Sequence, residues 1–205
     1  EFGYQLAMQG NKLLIGAPKA NGRKGAAFLY EFNQTSWQLV QELVPEEPVS
    51  FEKFGSVLDL SEHLLLVGST KSTSLEVGSG SVYVFLPENG SWEQAQIIRS
   101  QESGEHDLFA SDLKILGTHS LVISAPRGSG SIANEGLVYV YNKGSIGWQL
   151  TQTIASPEGI SAGLFGGAID YSQGSLLVGA FETRVPFCVI FLNSSRGNYD
   201  KNWLP

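Results

Sequence analysis

The chain has a single cysteine, Cys188, among its 205 residues. No intrachain disulfide can form, so stability must come from burial rather than cross-links. Basic residues are few: 13 Lys and Arg stand against 20 Asp and Glu, a net charge of −7. That balance argues against nucleic acid, whose phosphates call for clustered cations. No apolar run approaches the roughly 20 residues that cross a bilayer as a helix. The chain opens on Glu1-Phe2-Gly3 with neither Met nor a basic-then-apolar leader, and the expectation is a processed chain or a piece of a longer one. Catalytic patterns are missing too. No Gly-x-Ser-x-Gly elbow joins a strand to a helix. Gly78-Ser79-Gly80 and Gly128-Ser129-Gly130 lead into strand-like runs, with no Gly-Lys-Ser/Thr behind them, so they read as turns.

Glycine and apolar residues are plentiful. The chain holds 24 glycines and is 42% hydrophobic. Scattered Gly among short apolar runs signals many turns and many short strands. The aromatic residues reveal a period. The tryptophans are Trp37, Trp92, Trp148 and Trp203, spaced 55, 56 and 55. Phe followed by a small residue occurs at Phe2-Gly3, Phe54-Gly55, Phe109-Ala110 and Phe165-Gly166. Each Trp precedes the next such Phe by 17 residues, three times out of three. Fixed self-similarity of this kind marks a repeat architecture. The repeats are read as 1–53, 54–108, 109–164 and 165–205.

Each repeat offers four strand candidates. The first follows the Phe and its small neighbour. The second is an apolar run closing on small residues: Leu13-Leu14-Ile15-Gly16-Ala17-Pro18, Leu65-Leu66-Val67-Gly68-Ser69-Thr70, Leu121-Val122-Ile123-Ser124-Ala125-Pro126, and Leu176-Leu177-Val178-Gly179-Ala180-Phe181. The third is Ala27-Phe28-Leu29-Tyr30 and its equivalents from Val82, Val138 and Cys188. The fourth starts at the Trp. Runs two and three are apolar at successive positions, which predicts burial on both sheet faces. Stacked four-stranded sheets meet that demand, and a β-propeller stacks them radially. Cys188 replaces Val82 and Val138, and reads as a core thiol.

These landmarks resemble the FG-GAP repeat of integrin α-subunit propellers, and the pattern covers essentially the whole chain. The resemblance rests on Phe2-Gly3 with Gly16-Ala17-Pro18. It weakens at Gly68-Ser69-Thr70, at Ala110, at Ser124 before Pro126, and at Gly179-Ala180-Phe181. It implies an all-β fold, a β-propeller of four-stranded antiparallel blades belonging to a larger ring of about seven. It would also bring calcium loops of DxDxDG type between the first two strands. Here those stretches are Gln9-Gly10-Asn11-Lys12, Leu60-Ser61-Glu62-His63, Gly117-Thr118-His119-Ser120 and Ser172-Gln173-Gly174-Ser175, each with at most one carboxylate. Calcium needs several oxygens together, so no calcium and no other cofactor is expected.

Three sequons, at Asn33, Asn89 and Asn193, share the turn between the third and fourth strands and are the expected glycosylation sites. His63, His106 and His119 lie in loops with no recurring carboxylate or Cys, and read as turn residues. The loops joining strands two and three, at 19–24, 71–79, 127–135 and 182–185, vary most, as recognition loops on a rigid scaffold do. The resulting expectation is a non-catalytic interaction or structural module of an extracellular or cell-surface glycoprotein, used in adhesion or assembly. Its partners would be proteins, among them other chains of one surface assembly, with neither nucleic acid nor membrane insertion. The alternative is an accessory propeller of a secreted hydrolase, as the resemblance to glycosylphosphatidylinositol-specific phospholipase D suggests.

Overall fold

Among the described residues of the computed structural model, sixteen short strands form four separate sheets. It describes residues 1–48, 50–70, 80–100, 107–156, 164–180, 187–192 and 199–202, the last two stretches as backbone only. The first sheet holds β1 (Leu6–Gln9), β2 (Lys12–Ala17), β3 (Ala26–Phe32) and β4 (Trp37–Leu43). The second holds β5 (Phe54–Leu60), β6 (Leu65–Ser69), β7 (Ser81–Glu88) and β8 (Ser91–Arg99). The third holds β9 (Leu113–Leu116), β10 (Ser120–Ala125), β11 (Leu137–Gly144) and β12 (Gly147–Ala155). The fourth holds β13 (Ala168–Ser172), β14 (Ser175–Gly179), β15 (Phe187–Leu192) and β16 (Tyr199–Asn202). Every sheet pairs its strands antiparallel in chain order. The chain divides into two compact units, Glu1–Glu105 and His106–Pro205, each containing two of these sheets.

The third and fourth strands slip register at one repeated place. The bulge falls between Leu29 and Tyr30, between Val84 and Phe85, and between Val140 and Tyr141. A bulge bends its strand and increases the local twist. Between Lys12–Ala17 and Ala26, the segment Ala20–Arg23 makes one helical turn, interrupted by left-handed φ at Asn21 and Gly22.

Within the first unit, the two sheets pack face to face. Leu14, Leu29 and Leu43 from the first sheet join Phe54, Leu58, Leu60, Tyr83 and Phe85 from the second in one buried cluster. Phe54 meets Tyr83 edge-on, with ring centroids 5.0 Å apart. The second unit repeats the arrangement with Val122, Val140 and Ile154 against Phe165, Ile169 and Leu176. The expected two-sided burial holds for β6, β7, β10 and β11. It does not hold for the first sheet, where Leu6, Met8 and Leu39 are exposed on one face, or for β14, where Leu177 is exposed.

The sheet junction explains two glycines of the repeat. Gly55 has φ +87, and a Cβ there would lie 2.3 Å from the Ala26 carbonyl oxygen of the first sheet. Gly16 has an ordinary φ, but its Cβ would stand 2.1 Å from the Gly55 carbonyl oxygen. The Gly of one sheet thus seats on the Phe-Gly turn of the next. Forcing even a methyl into such a contact shifts backbone and costs about 1–3 kcal/mol or more. Gly16→Ala is therefore expected to destabilise the first unit by about 3 kcal/mol, read by urea denaturation. Gly144→Ala, whose Cβ would meet the flexible Gln149 side chain at 3.2 Å, is expected to stay within about 0.5 kcal/mol of the parent. Equal losses in the two variants would contradict the junction.

Candidate functional site: sheet junctions and rim turns

Residues 53–56 build the junction locally. Ser56 donates its backbone N–H to the Lys53 carbonyl at 3.2 Å and its hydroxyl to the same oxygen at 2.6 Å. A four-residue turn with positive φ at its third residue favours Gly there. The same turn recurs in the second unit: Ser111 donates to the Leu108 carbonyl twice, and Gly167 donates to the Leu164 carbonyl. The residue after each Phe has left-handed φ in all four repeats: Gly3 +80, Gly55 +87, Ala110 +64 and Gly166 +87. Ala110 holds that conformation despite its Cβ, so the turn survives the departure from Gly. Gly3 and Gly166 also donate N–H bonds to the carbonyls of Gly16 and Gly179 in their own sheets. The two halves of the motif are hydrogen-bonded within a sheet and pressed together between sheets.

Phe54, Phe109 and Phe165 are buried, whereas Phe2 is 58% exposed and leans on Phe28 at 5.3 Å. Trp92 and Trp148 are buried and Trp37 is half-exposed. Pro18, Gly68 and Pro126 are buried at the strand ends, and Gly179 is half-buried. Ser124 is buried where the motif has Gly, and its hydroxyl accepts the Asp112 N–H at 2.9 Å. Asn193, Trp203 and His106 lie outside the described residues, as does the loop at 71–79 and that at 182–185; of Cys188 only the backbone is described.

Five junction residues escaped the reading of the sequence. Gln41 accepts the Trp92 N–H and donates to the Trp92 carbonyl, both at 2.8 Å, tying the first sheet to the second. Its signal was present: Gln41, Gln96 and Gln152 each stand four residues after a Trp. Gly25 has φ +95, and its Cβ would lie 2.2 Å from the Phe54 carbonyl oxygen; Gly136 stands in the same relation to Phe165. Gly25, Gly80 and Gly136 each lie 12 residues before a Trp. Glu52 is buried two residues before Phe54. It accepts the Tyr83 hydroxyl at Oε1 and the Ser69 hydroxyl at its carbonyl, while Oε2 has no partner. Burial, then the hydrogen bond to Glu52, push the Tyr83 phenol well above its ordinary range. Asp112 accepts the Ile169 N–H at 2.7 Å and the Leu113 N–H at 2.8 Å, so it links the third sheet to the fourth. Burial pushes its carboxyl upward, and the two N–H donors pull it partly back.

The rim turns hold the sequons. Asn33 is exposed, and its Oδ1 accepts Thr35 N–H at 3.2 Å, the Thr35 hydroxyl at 2.7 Å and Ser36 N–H at 3.0 Å. Asn89 is exposed at φ +49, followed by Gly90 at +88, the pattern of a two-residue hairpin turn between β7 and β8. The loops between the first two strands are tight turns as well; Ser172 pairs with Ser175 across Gln173 and Gly174. His63 and His119 are exposed. Among the described residues no three His, Cys, Asp or Glu side chains gather as a metal group would need.

Residues 37–85 match the model of the FG-GAP repeat. The chain carries an FG-GAP repeat. The matched stretch runs from β4 into β7 and so includes the Phe54 junction. No curated protein matches the sequence. Among solved structures the chain is similar to Sqt1 of Chaetomium thermophilum, with 14% identity and a TM-score of 0.55 over 92% of this chain. It spans 43% of Sqt1's length. Another similar structure is the periplasmic gluconolactonase PpgL of Pseudomonas aeruginosa, with 16% identity and a TM-score of 0.48 over 96% of this chain and 70% of PpgL. The likeness to Sqt1, a propeller-like neighbour, concerns the fold alone. Among the described residues no helix is long and apolar enough to cross a membrane.

Removing the Tyr83 hydroxyl leaves both Glu52 carboxyl oxygens buried without a donor. Tyr83→Phe is expected to cost about 1–3 kcal/mol in urea denaturation. A variant as stable as the parent would show that the Glu52 carboxyl finds another partner.

Proposed function

We propose that the chain is a non-catalytic interaction or structural module, formed of propeller blades in an extracellular or cell-surface glycoprotein and used in adhesion or assembly. The observation that carries this reading is the placing of the sequons. Asn33 and Asn89 both stand exposed in the turn that joins the third and fourth strands of their sheets. At Asn33 the carboxamide oxygen faces the turn, occupied by Thr35 and Ser36. A glycan can leave from either turn without entering a sheet face, and exposed loops are where such chains attach. The FG-GAP repeat at 37–85 supports a propeller module. The junction residues support a rigid scaffold: Gln41 bonds to Trp92, Glu52 accepts the Tyr83 hydroxyl, and Phe54 packs edge-on against Tyr83. Loops on a scaffold of this kind are suited to recognition.

The test is secretion of the chain from a eukaryotic cell, followed by treatment with peptide-N-glycosidase. The mass is expected to fall, and Asn33→Gln and Asn89→Gln are each expected to remove one glycan from the untreated protein. A secreted chain whose mass the enzyme leaves unchanged would overturn the glycoprotein reading.

A further inference from the structure

Two Asn-Gly steps occur in the chain, Asn21-Gly22 and Asn89-Gly90. Both lie in exposed turns, the first between β2 and β3 and the second between β7 and β8. Both residues of each step hold left-handed φ: +50 and +69 in the first, +49 and +88 in the second. A Cβ built on either glycine would meet nothing within 4 Å. Asn is among the chemically labile residues, and a following Gly removes the obstacle to its reaction. With no Cβ in the way, the glycine backbone nitrogen can attack the Asn Cγ. The new N–C bond closes a succinimide ring, and the side-chain nitrogen leaves as ammonia. Water then opens the ring at one carbonyl or the other, giving aspartate or isoaspartate. No oxidant, metal or enzyme is required.

The structure sets the two steps apart. Asn21 Nδ2 donates to Glu42 Oε1 at 3.0 Å. That bond holds the carboxamide against β4 and must break before Cγ can turn towards the Gly22 nitrogen. It also draws a proton of the amide nitrogen towards a carboxylate, whereas that nitrogen must gain a proton to leave. In the other turn the Ser91 hydroxyl donates to the Glu93 carboxylate at 2.5 Å. Among the described residues nothing bonds the Asn89 carboxamide. Exposed turns open locally at small free-energy cost, so both steps can reach the reactive geometry, but only Asn21 has a partner to give up.

We propose that Asn89 is a site of spontaneous deamidation in the chain that carries no glycan there, and that Glu42 shields Asn21 from the same reaction. Conversion of Asn89 removes the acceptor of the second sequon and adds a carboxylate to a turn that already holds Glu88 and Glu93. Isoaspartate also adds a backbone carbon to a turn in which Glu88 pairs directly with Ser91. At Asn21 the product carboxylate would stand against that of Glu42, and like charges in contact would push residues 19–24 away from β4. The reaction belongs to the unglycosylated chain and is independent of the glycoprotein reading.

The full chain is made in a bacterial host that adds no N-glycans, aged at neutral pH, and its peptides are mapped by mass spectrometry. Asn89 is expected to convert to a mixture of aspartate and isoaspartate, at least about threefold faster than Asn21, a factor within the worth of one hydrogen bond. Its rate is expected to rise with pH, since the Gly90 nitrogen must shed its proton to attack. Glu42→Ala is expected to raise the Asn21 rate about threefold or more and leave that of Asn89 unchanged. Glu42 is exposed, so the variant should keep the circular dichroism of the parent. In urea, where the Glu42 contact is lost, the two steps are expected to convert at similar rates. An Asn89 that stays intact as the chain ages overturns the proposal. So does an Asn21 as fast as Asn89 in the folded chain, or an Asn21 rate that Glu42→Ala leaves unchanged. A difference that persists in urea overturns it too, because its cause would then lie in the adjoining residues. Each of these results leaves the peptide-N-glycosidase test standing, since that test reads the secreted chain.

Discussion

The first unit depends on one steric fact: Gly55, the residue after the junction Phe, turns left-handed directly against the backbone of the preceding sheet. Gly55 cannot carry a Cβ because Ala26 O stands where it would go, and Gly16 cannot because Gly55 O does. That close approach brings Phe54 down between the sheets, where it meets Tyr83 and Phe85. Large apolar burial then follows from a backbone contact. The aromatic side chain supplies the hydrophobic free energy. The glycines supply the geometry in which that burial is possible.

Polar groups at the junction have the complementary task of fixing register. Gln41 reads both the N–H and the carbonyl of Trp92, a pairing that a one-residue slip would break. In the second unit Asp112 reaches Ile169 across the same kind of gap. Buried or half-buried groups with specific partners are costly to leave unpaired, so they penalise every alternative stacking. Here the apolar cluster holds the sheets together, and Gln41 or Asp112 determines how they are aligned.

Much of this was legible in the residues. Four tryptophans at near-equal spacing fixed the repeat, and the alternation of short apolar runs with Gly, Asn and Ser fixed four strands in each. The positive φ at Gly3, Gly55 and Gly166 is what a Gly after Phe announces. Other features were not legible. Gln41, Gly25 and Glu52 recur or sit at fixed offsets, but a polar residue in a strand or a Gly before one has many ordinary uses. Only the contact across sheets distinguishes them. The open face of the first sheet was also hidden. Its sequence is as apolar as that of the second sheet, and composition cannot tell a covered face from an uncovered one. The rim asparagines were legible as sequons, and the structure adds their exposure and the turn geometry that holds Asn33.

The central claim is that the motif works as one contact, the Gly side of one sheet against the Phe-Gly turn of the next. Gly16 lies on β2 and Gly25 immediately before β3, yet a Cβ at either would strike consecutive carbonyls, Gly55 O and Phe54 O. A double-mutant cycle of Gly16→Ala and Gly25→Ala, followed by urea denaturation, tests this most directly. The account predicts that the double variant loses less than the sum of the single losses, by about 0.5–3 kcal/mol, because opening the junction for one methyl makes room for the other. Additive losses would mean the two glycines act separately, and would contradict the single junction.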